Sequence, residues 1–357
     1  MARTSDAPIE DYSCITTFGT RPGPKATTRL SYRIEKQDDQ VFHHEILESA
    51  DGEVIYDLSV PVHYAVGSGS RGRSYLTNRD GILFMSPATW YADADRWDLS
   101  PGYEHRNQHF GRRIVDGCLS CHAGHVDDVA DLPDQYAQEP FLEMSIGCEK
   151  CHGPGKEHVA YYTEPDAGHT DSIVNPAKLS MELQNAVCFQ CHLTGEHRLP
   201  RYGRTTFDFR PGDRVTDIWT VLVKGTGVDD SLTTAAVSQA EQMLSSACFQ
   251  RSGGALGCVS CHDPHRLPAE QDRVEFYRTS CLNCHGPNDT QCSVPREQRL
   301  ETTVEDSCIL CHMPRLDAND VPHISQTDHR VLRNPELTTL SATDAPDLQI
   351  FRAEEIP

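Results

Sequence analysis

A five-residue unit, Cys-x-x-Cys-His, occurs six times in this chain: Cys118–His122, Cys148–His152, Cys188–His192, Cys258–His262, Cys281–His285 and Cys308–His312. With 15 Cys and 18 His in 357 residues, roughly 0.03 such matches are expected by chance, so the unit is a requirement of the protein. The intervals between units are irregular, which makes this a recurring site and not a solenoid repeat. Two thiols separated by two residues match the spacing of the two vinyl groups of haem, and the adjoining His then lies beneath the iron. The expected cofactor is therefore haem c, six copies, each covalently attached. The attaching residues are Cys118, Cys121, Cys148, Cys151, Cys188, Cys191, Cys258, Cys261, Cys281, Cys284, Cys308 and Cys311, and the iron ligands His122, His152, His192, His262, His285 and His312. Zinc is the competing reading, because six CxxC pairs make three four-cysteine sites. Neither zinc nor a disulfide framework requires a histidine directly after every pair.

Only 38% of residues are hydrophobic, lean for a chain this long, so the haems themselves are expected to fill part of the interior. The net charge of −21 makes nucleic acid and anionic membrane surfaces poor partners, and favours redox proteins with basic docking surfaces or other cytochromes. A solvated acidic surface explains the same charge. No stretch reaches the roughly 18 apolar residues of a membrane helix. The opening MARTSDAPIEDY lacks the apolar segment of a signal peptide.

The expected fold class is a multihaem cytochrome c fold, a small antiparallel β region followed by mainly short α-helices and loops packed around covalent haems. Residues 1–100 hold no haem motif. Within them RLSYRIEK, VFHHEILE, EVIYDLSVPVHYAV and RSYLTNRDGILFM are short and partly alternating, with turn signals at QDDQ, ADGE and RDG, which predicts a β-meander. Residues 101–319 carry all six motifs among Gly, Pro and short helical runs such as Met181–Cys191 and Ala235–Cys248. Residues 320–357 read as an extended tail.

Each iron also needs a sixth ligand or an open face, and twelve histidines lie outside the motifs. His158 and His265 follow a motif closely in rigid Pro/Gly turns, so each is expected to serve a neighbouring haem. His323 and His329 follow the last motif and are placed to clamp two earlier haems. The ordinary fate of a lone histidine is a surface or hydrogen-bonded residue. Bis-His ligation would set low potentials. Of the remaining cysteines, Cys248 and Cys292 are the economical disulfide, with Cys14 left over, and free thiols are the alternative. GSGSRG at Gly67–Gly72 matches GxGxxG but precedes a strand-like run, so a tight turn is expected there. GPGK at Gly153–Lys156 lacks the spacing of a phosphate loop.

GSGSRGRSYL, RWDLSPGY, IGCEKCHGPGKEHV, IVNPAKL, VCFQCHLTGE, FDFRPGD, CFQRSGGALGCVSCHDPH and the closing CHMPR…TDHR together resemble a family of bacterial multihaem cytochromes. Its members are often fused to tetratricopeptide repeats and common in planctomycete-like genomes. The resemblance implies that His43, His109, His158, His265, His323 and His329 stand where the family keeps its spare histidines, and ranks His63 and His125 lower. Relatives usually begin with a signal peptide and a further CxxCH, so Met1 is expected to be an internal methionine and the protein periplasmic or otherwise extracytoplasmic. The expected function is electron transfer through six mostly bis-His haems. The alternative is a reductase or oxidase of small nitrogen or sulfur compounds at one open iron. An altered motif such as CxxCK, which would favour it, is absent. A scaffold or redox sensor ranks third.

Overall fold

The structure, a computed structural model, describes residues 2–4, 17–19, 27–164, 168–224, 233–286, 292–302, 306–333 and 348–352. The chain divides into two compact units, Met1–Lys150 with Ala318–Ile324, and Cys151–Asp317 with Ser325–Pro357.

In the first unit the expected meander forms, as two sheets. Strands β1 (Ala2–Arg3), β2 (Thr17–Gly19), β3 (Thr28–Gln37), β4 (Gln40–Ser49), β5 (Val54–Val62), β6 (Tyr64–Val66), β7 (Gly72–Arg79), β8 (Ile82–Tyr91) and β9 (Arg96–Leu99) pair antiparallel in the orders β2-β3-β4-β5 and β1-β6-β7-β8-β9. The β7–β8 turn is Asp80–Gly81, both at positive φ, the conformation in which a two-residue turn follows the twist of its strands. A side chain at position 81 would also collide with the Tyr136 carbonyl. GSGSRG joins β6 to β7, so a strand follows it and no helix. Alternating residues of the strands fill a core of Ile34, Val41, Val62, Ala65, Tyr75, Ala88 and Trp97. Helix α1 (Asp116–His122) and a hairpin of β10 (His125–Asp128) and β11 (Tyr136–Glu143) follow. That hairpin was not expected, since its residues show no clean alternation.

Helix α2 (Glu149–His152) crosses into the second unit, which continues with α3 (Lys156–Thr163), α4 (Met181–His192), β12 (His197–Pro200), α5 (Val215–Ile218), β13 (Trp219–Lys224), β14 (Thr233–Thr234), α6 (Gln239–Ser245), α7 (Ala247–Arg251), α8 (Arg273–His285), α9 (Arg296–Thr302) and α10 (Cys308–His312). The expected helix over Ala235–Cys248 is instead α6 and the start of α7. Ser246 stands between them with extended backbone and accepts the Phe249 N–H as the cap of α7. Ala186, Phe189, Leu193, Phe209, Val215, Ile218, Trp219, Val221 and Ala240 form this unit's core. By contrast α2, α3, α8 and α10 contain no buried residue. The tail differs from a simple extended segment: β15 (Arg315–Ala318) pairs with β16 (Ser325–Thr327), and β17 (Leu348–Ile350) pairs with β13. No helix among the described residues is long and apolar enough to cross a membrane.

Candidate functional site

Five motifs end a helix: α1, α2, α4, α8 and α10 each close on the motif histidine. At 3.6 residues per turn, the first Cys, the second Cys three residues on and the His four residues on lie along one side of a helix. That is the arrangement needed to offer two sulfurs and an imidazole to one flat group. Ser180 and Ser307 start α4 and α10 by accepting the N–H groups of Leu183 and Leu310. The fourth motif is wound more tightly, as a 3-10 turn over Cys258–Ser260, and the His262 N–H meets the Cys258 carbonyl at 3.0 Å.

Three of the motif histidines are oriented through Nδ1. His152 donates to the Val174 carbonyl and His312 to the Leu332 carbonyl, both at 2.8 Å, and His192 to Oε1 of Gln239 at 3.2 Å. A histidine that binds metal through Nε2 usually gives its other N–H to such a partner, which fixes the tautomer and the ring plane. Burial lowers the pKa of His122 and His262, which favours the neutral ring that a metal requires.

Two motif histidines face spare ones. His152 and His265 have ring centroids 6.0 Å apart with planes at 10°, and His262 and His329 are 6.2 Å apart at 27°. Metal–imidazole bonds of about 2 Å, with about 1 Å more from nitrogen to ring centre on each side, put two axial imidazoles on one iron roughly 6 Å apart. The spacing of both pairs thus fits a haem iron between them. His329 donates its Nδ1–H to the Thr327 carbonyl at 2.8 Å, and its backbone N–H meets Oε1 of Gln242 at 2.7 Å.

The other spare histidines are placed differently. Nδ1 of His158 bonds Asp171 at 2.8 Å, and Nδ1 of His109 bonds Glu45 at 2.7 Å. His43 lies in the β core, 1% exposed, packed on Tyr75 and Trp97, with Nδ1 on Ser86 Oγ at 2.6 Å and, among the described residues, no hydrogen-bond partner at Nε2. Both nitrogens of His323 are engaged, by Arg96 and, at Nε2, by Asp98 at 2.8 Å. His63 accepts the Asn78 N–H, and His125 lies exposed on β10.

The cysteines of successive motifs also meet. Cys188 shares a thiol hydrogen bond with Cys258, and Cys281 with Cys308. Cys248 lies near Cys261 and Cys284, and Cys292 near Cys311. Both are free thiols, so the expected Cys248–Cys292 disulfide is not formed. Cys248 lies with the fourth and fifth motifs and Cys292 with the sixth, which is the physical reason. Cys14 lies outside the described residues. Burial pushes the thiols of Cys118, Cys261 and Cys311 up. Among the described residues no group of three or more His, Cys, Asp or Glu gathers as for a single metal ion.

Sequence reasoning missed the groups that hold the histidines: the Val174 and Leu332 carbonyls, Gln239 and Glu45. Glu45 alone had a signal, since two places beyond His43 on a strand it shares the same inward face.

Comparison with known proteins gives a match over residues 98–153 to the family described as Cytochrome c554 and c-prime. The matched stretch contains His109 and the motifs at Cys118–His122 and Cys148–His152. It is a domain of multihaem c-type cytochromes, and it implies covalent haem c. No curated protein and no solved structure matches the chain.

Proposed function

We propose that this protein is an electron-transfer cytochrome carrying six covalent haems, one on each CxxCH motif, with His265 opposite His152 and His329 opposite His262 as axial ligands. The observation that carries the proposal is the pair of His–His separations of 6.0 and 6.2 Å, each joining a motif histidine to one outside any motif. The match over residues 98–153 supports the same chemistry at the first two motifs. His109 and His158, with Nδ1 held by carboxylates, are further axial candidates. His43 and His323 are left outside the proposal, because one is enclosed in the apolar core and the other has both nitrogens engaged.

Bound haem supplies a one-electron couple at its iron. The chain's own residues then do three things. The motif cysteines anchor, the paired histidines fix the axial direction, and the Nδ1 partners set how strongly each imidazole donates. The thiol contacts Cys188–Cys258 and Cys281–Cys308 bring the third motif to the fourth and the fifth to the sixth, close enough for electrons to pass between neighbouring sites. The charge of −21 favours basic redox partners, and attachment of haem outside the cytoplasm calls for an extracytoplasmic site of action.

The test is a stepwise reductive titration of holo-protein exported from a haem-attaching host, with intact mass to count haems. Six haem additions and six electrons taken up, without turnover of nitrite or hydroxylamine, are expected. Fewer haems, or steady turnover of either substrate, would overturn the proposal.

A further inference from the structure

Glu45, the carboxylate on Nδ1 of His109, is buried. It lies on β4, opposite Tyr32 on β3, and its side chain is 3% exposed. A charge removed from water to that extent is costly unless donors surround it. Three do so: Oε2 accepts from the Tyr32 hydroxyl at 3.1 Å and from His109 Nδ1 at 2.7 Å, and Oε1 accepts from the Tyr56 hydroxyl at 2.7 Å.

His109 is over-determined for a residue near the surface. Its φ of +53° is rare for any residue but glycine, and such strain persists only where the surroundings enforce it. Asn107 Oδ1 accepts its backbone N–H at 2.8 Å, and the Tyr103 hydroxyl donates to its carbonyl at 3.1 Å. Asn107 in turn donates to the Tyr32 hydroxyl, which closes the network on Glu45. The backbone and Nδ1 are thus fixed from the β region, while the side chain remains 56% exposed and Nε2 has no hydrogen-bond partner among the described residues. A carboxylate on one imidazole nitrogen with the other left open is the arrangement of a metal-bound histidine and its outer support.

We propose that Glu45 is a positioning residue, which through His109 Nδ1 aims His109 Nε2 at a haem iron and lowers the potential of that haem. The proposal rests on the haem reading above. It sets His109 apart from His152 and His312, whose Nδ1–H groups go to neutral carbonyls. A full negative charge makes the imidazole a stronger donor, which stabilises ferric iron.

Holo-protein carrying Glu45→Gln, Tyr56→Phe or His109→Ala is compared with the parent by redox titration and electron paramagnetic resonance. In E45Q, which keeps an acceptor in place, one midpoint potential is expected to rise while the others hold. In Y56F the carboxylate loses a competing donor, and the same potential is expected to fall. A purely structural role for Glu45 would not move one potential in opposite directions. H109A is expected to turn one haem from low to high spin, with imidazole restoring it. If H109A leaves every haem low-spin, His109 is no ligand and the reading beneath the proposal fails. If H109A converts one haem but E45Q and Y56F leave all potentials unchanged, ligation stands and the role of Glu45 is refuted.

Discussion

Tyr32, Tyr75 and Leu83 on the strands of the first unit are at most 1% exposed, whereas α8, thirteen residues long, buries none. The strands from Thr28 to Leu99 gather aromatic and β-branched side chains into their own core, and Trp97, Tyr75 and His43 are packed ring against ring. The helices that end in CxxCH turn sulfur and imidazole along one side and bring little aliphatic surface. Among these helices, α4, which packs with Phe209 and Trp219, and α1, which buries Leu119, combine a motif with buried side chains. The difference teaches that the strands carry enough side-chain surface to make a core of their own, while α8 and α10 bury none of theirs.

Replacing all twelve motif cysteines by Ala separates the two regions most sharply. Hydrogen exchange is expected to show protection retained over β3–β9 and lost over α8 and α10. Protection retained in α8 would break the comparison. Next in size, Trp97→Ala is expected to cost about 3–5 kcal/mol in the β region, read by urea denaturation, with haem content unchanged. An equal loss of haem would mean that the units are not separable.

His43 gives a smaller, pH-dependent effect. Burial holds its folded pKa at about 3, against the ordinary 6.5 of the unfolded chain. Above pH 6.5 the ring is neutral in both states. Below it the unfolded chain takes the proton first, so stability of the β region falls as pH drops from 6.5 towards 3. His43→Asn is expected to flatten that decline in denaturation series run across the window. The smallest effect is at the cap of α4, where Ser180→Ala should cost about 1 kcal/mol in thermal unfolding, because a backbone N–H loses its acceptor.

Much of this was legible in the residues. The motifs named their cofactor, and Asp80–Gly81 marked a hairpin because its positive φ values demand such residues. Met181–Cys191 read as a helix and is one. What escaped was non-local. Nothing near His152 points to His265, nor near His262 to His329, since those approaches depend on how distant segments pack. The pairing of Leu348–Ile350 with β13 is likewise set by a partner more than a hundred residues away. The hairpin from His125 to Glu143 escaped for a local reason: its register shifts twice, which breaks the alternation that marks a strand.

Electron paramagnetic resonance of the holo-protein tests the central claim most directly, since spin state reports whether each iron has two strong axial ligands. Low-spin signals from all six haems, with one high-spin haem appearing in His265→Ala and another in His329→Ala, are the predicted result. A high-spin fraction equal to one haem in the unaltered protein, or no change in either variant, would contradict it.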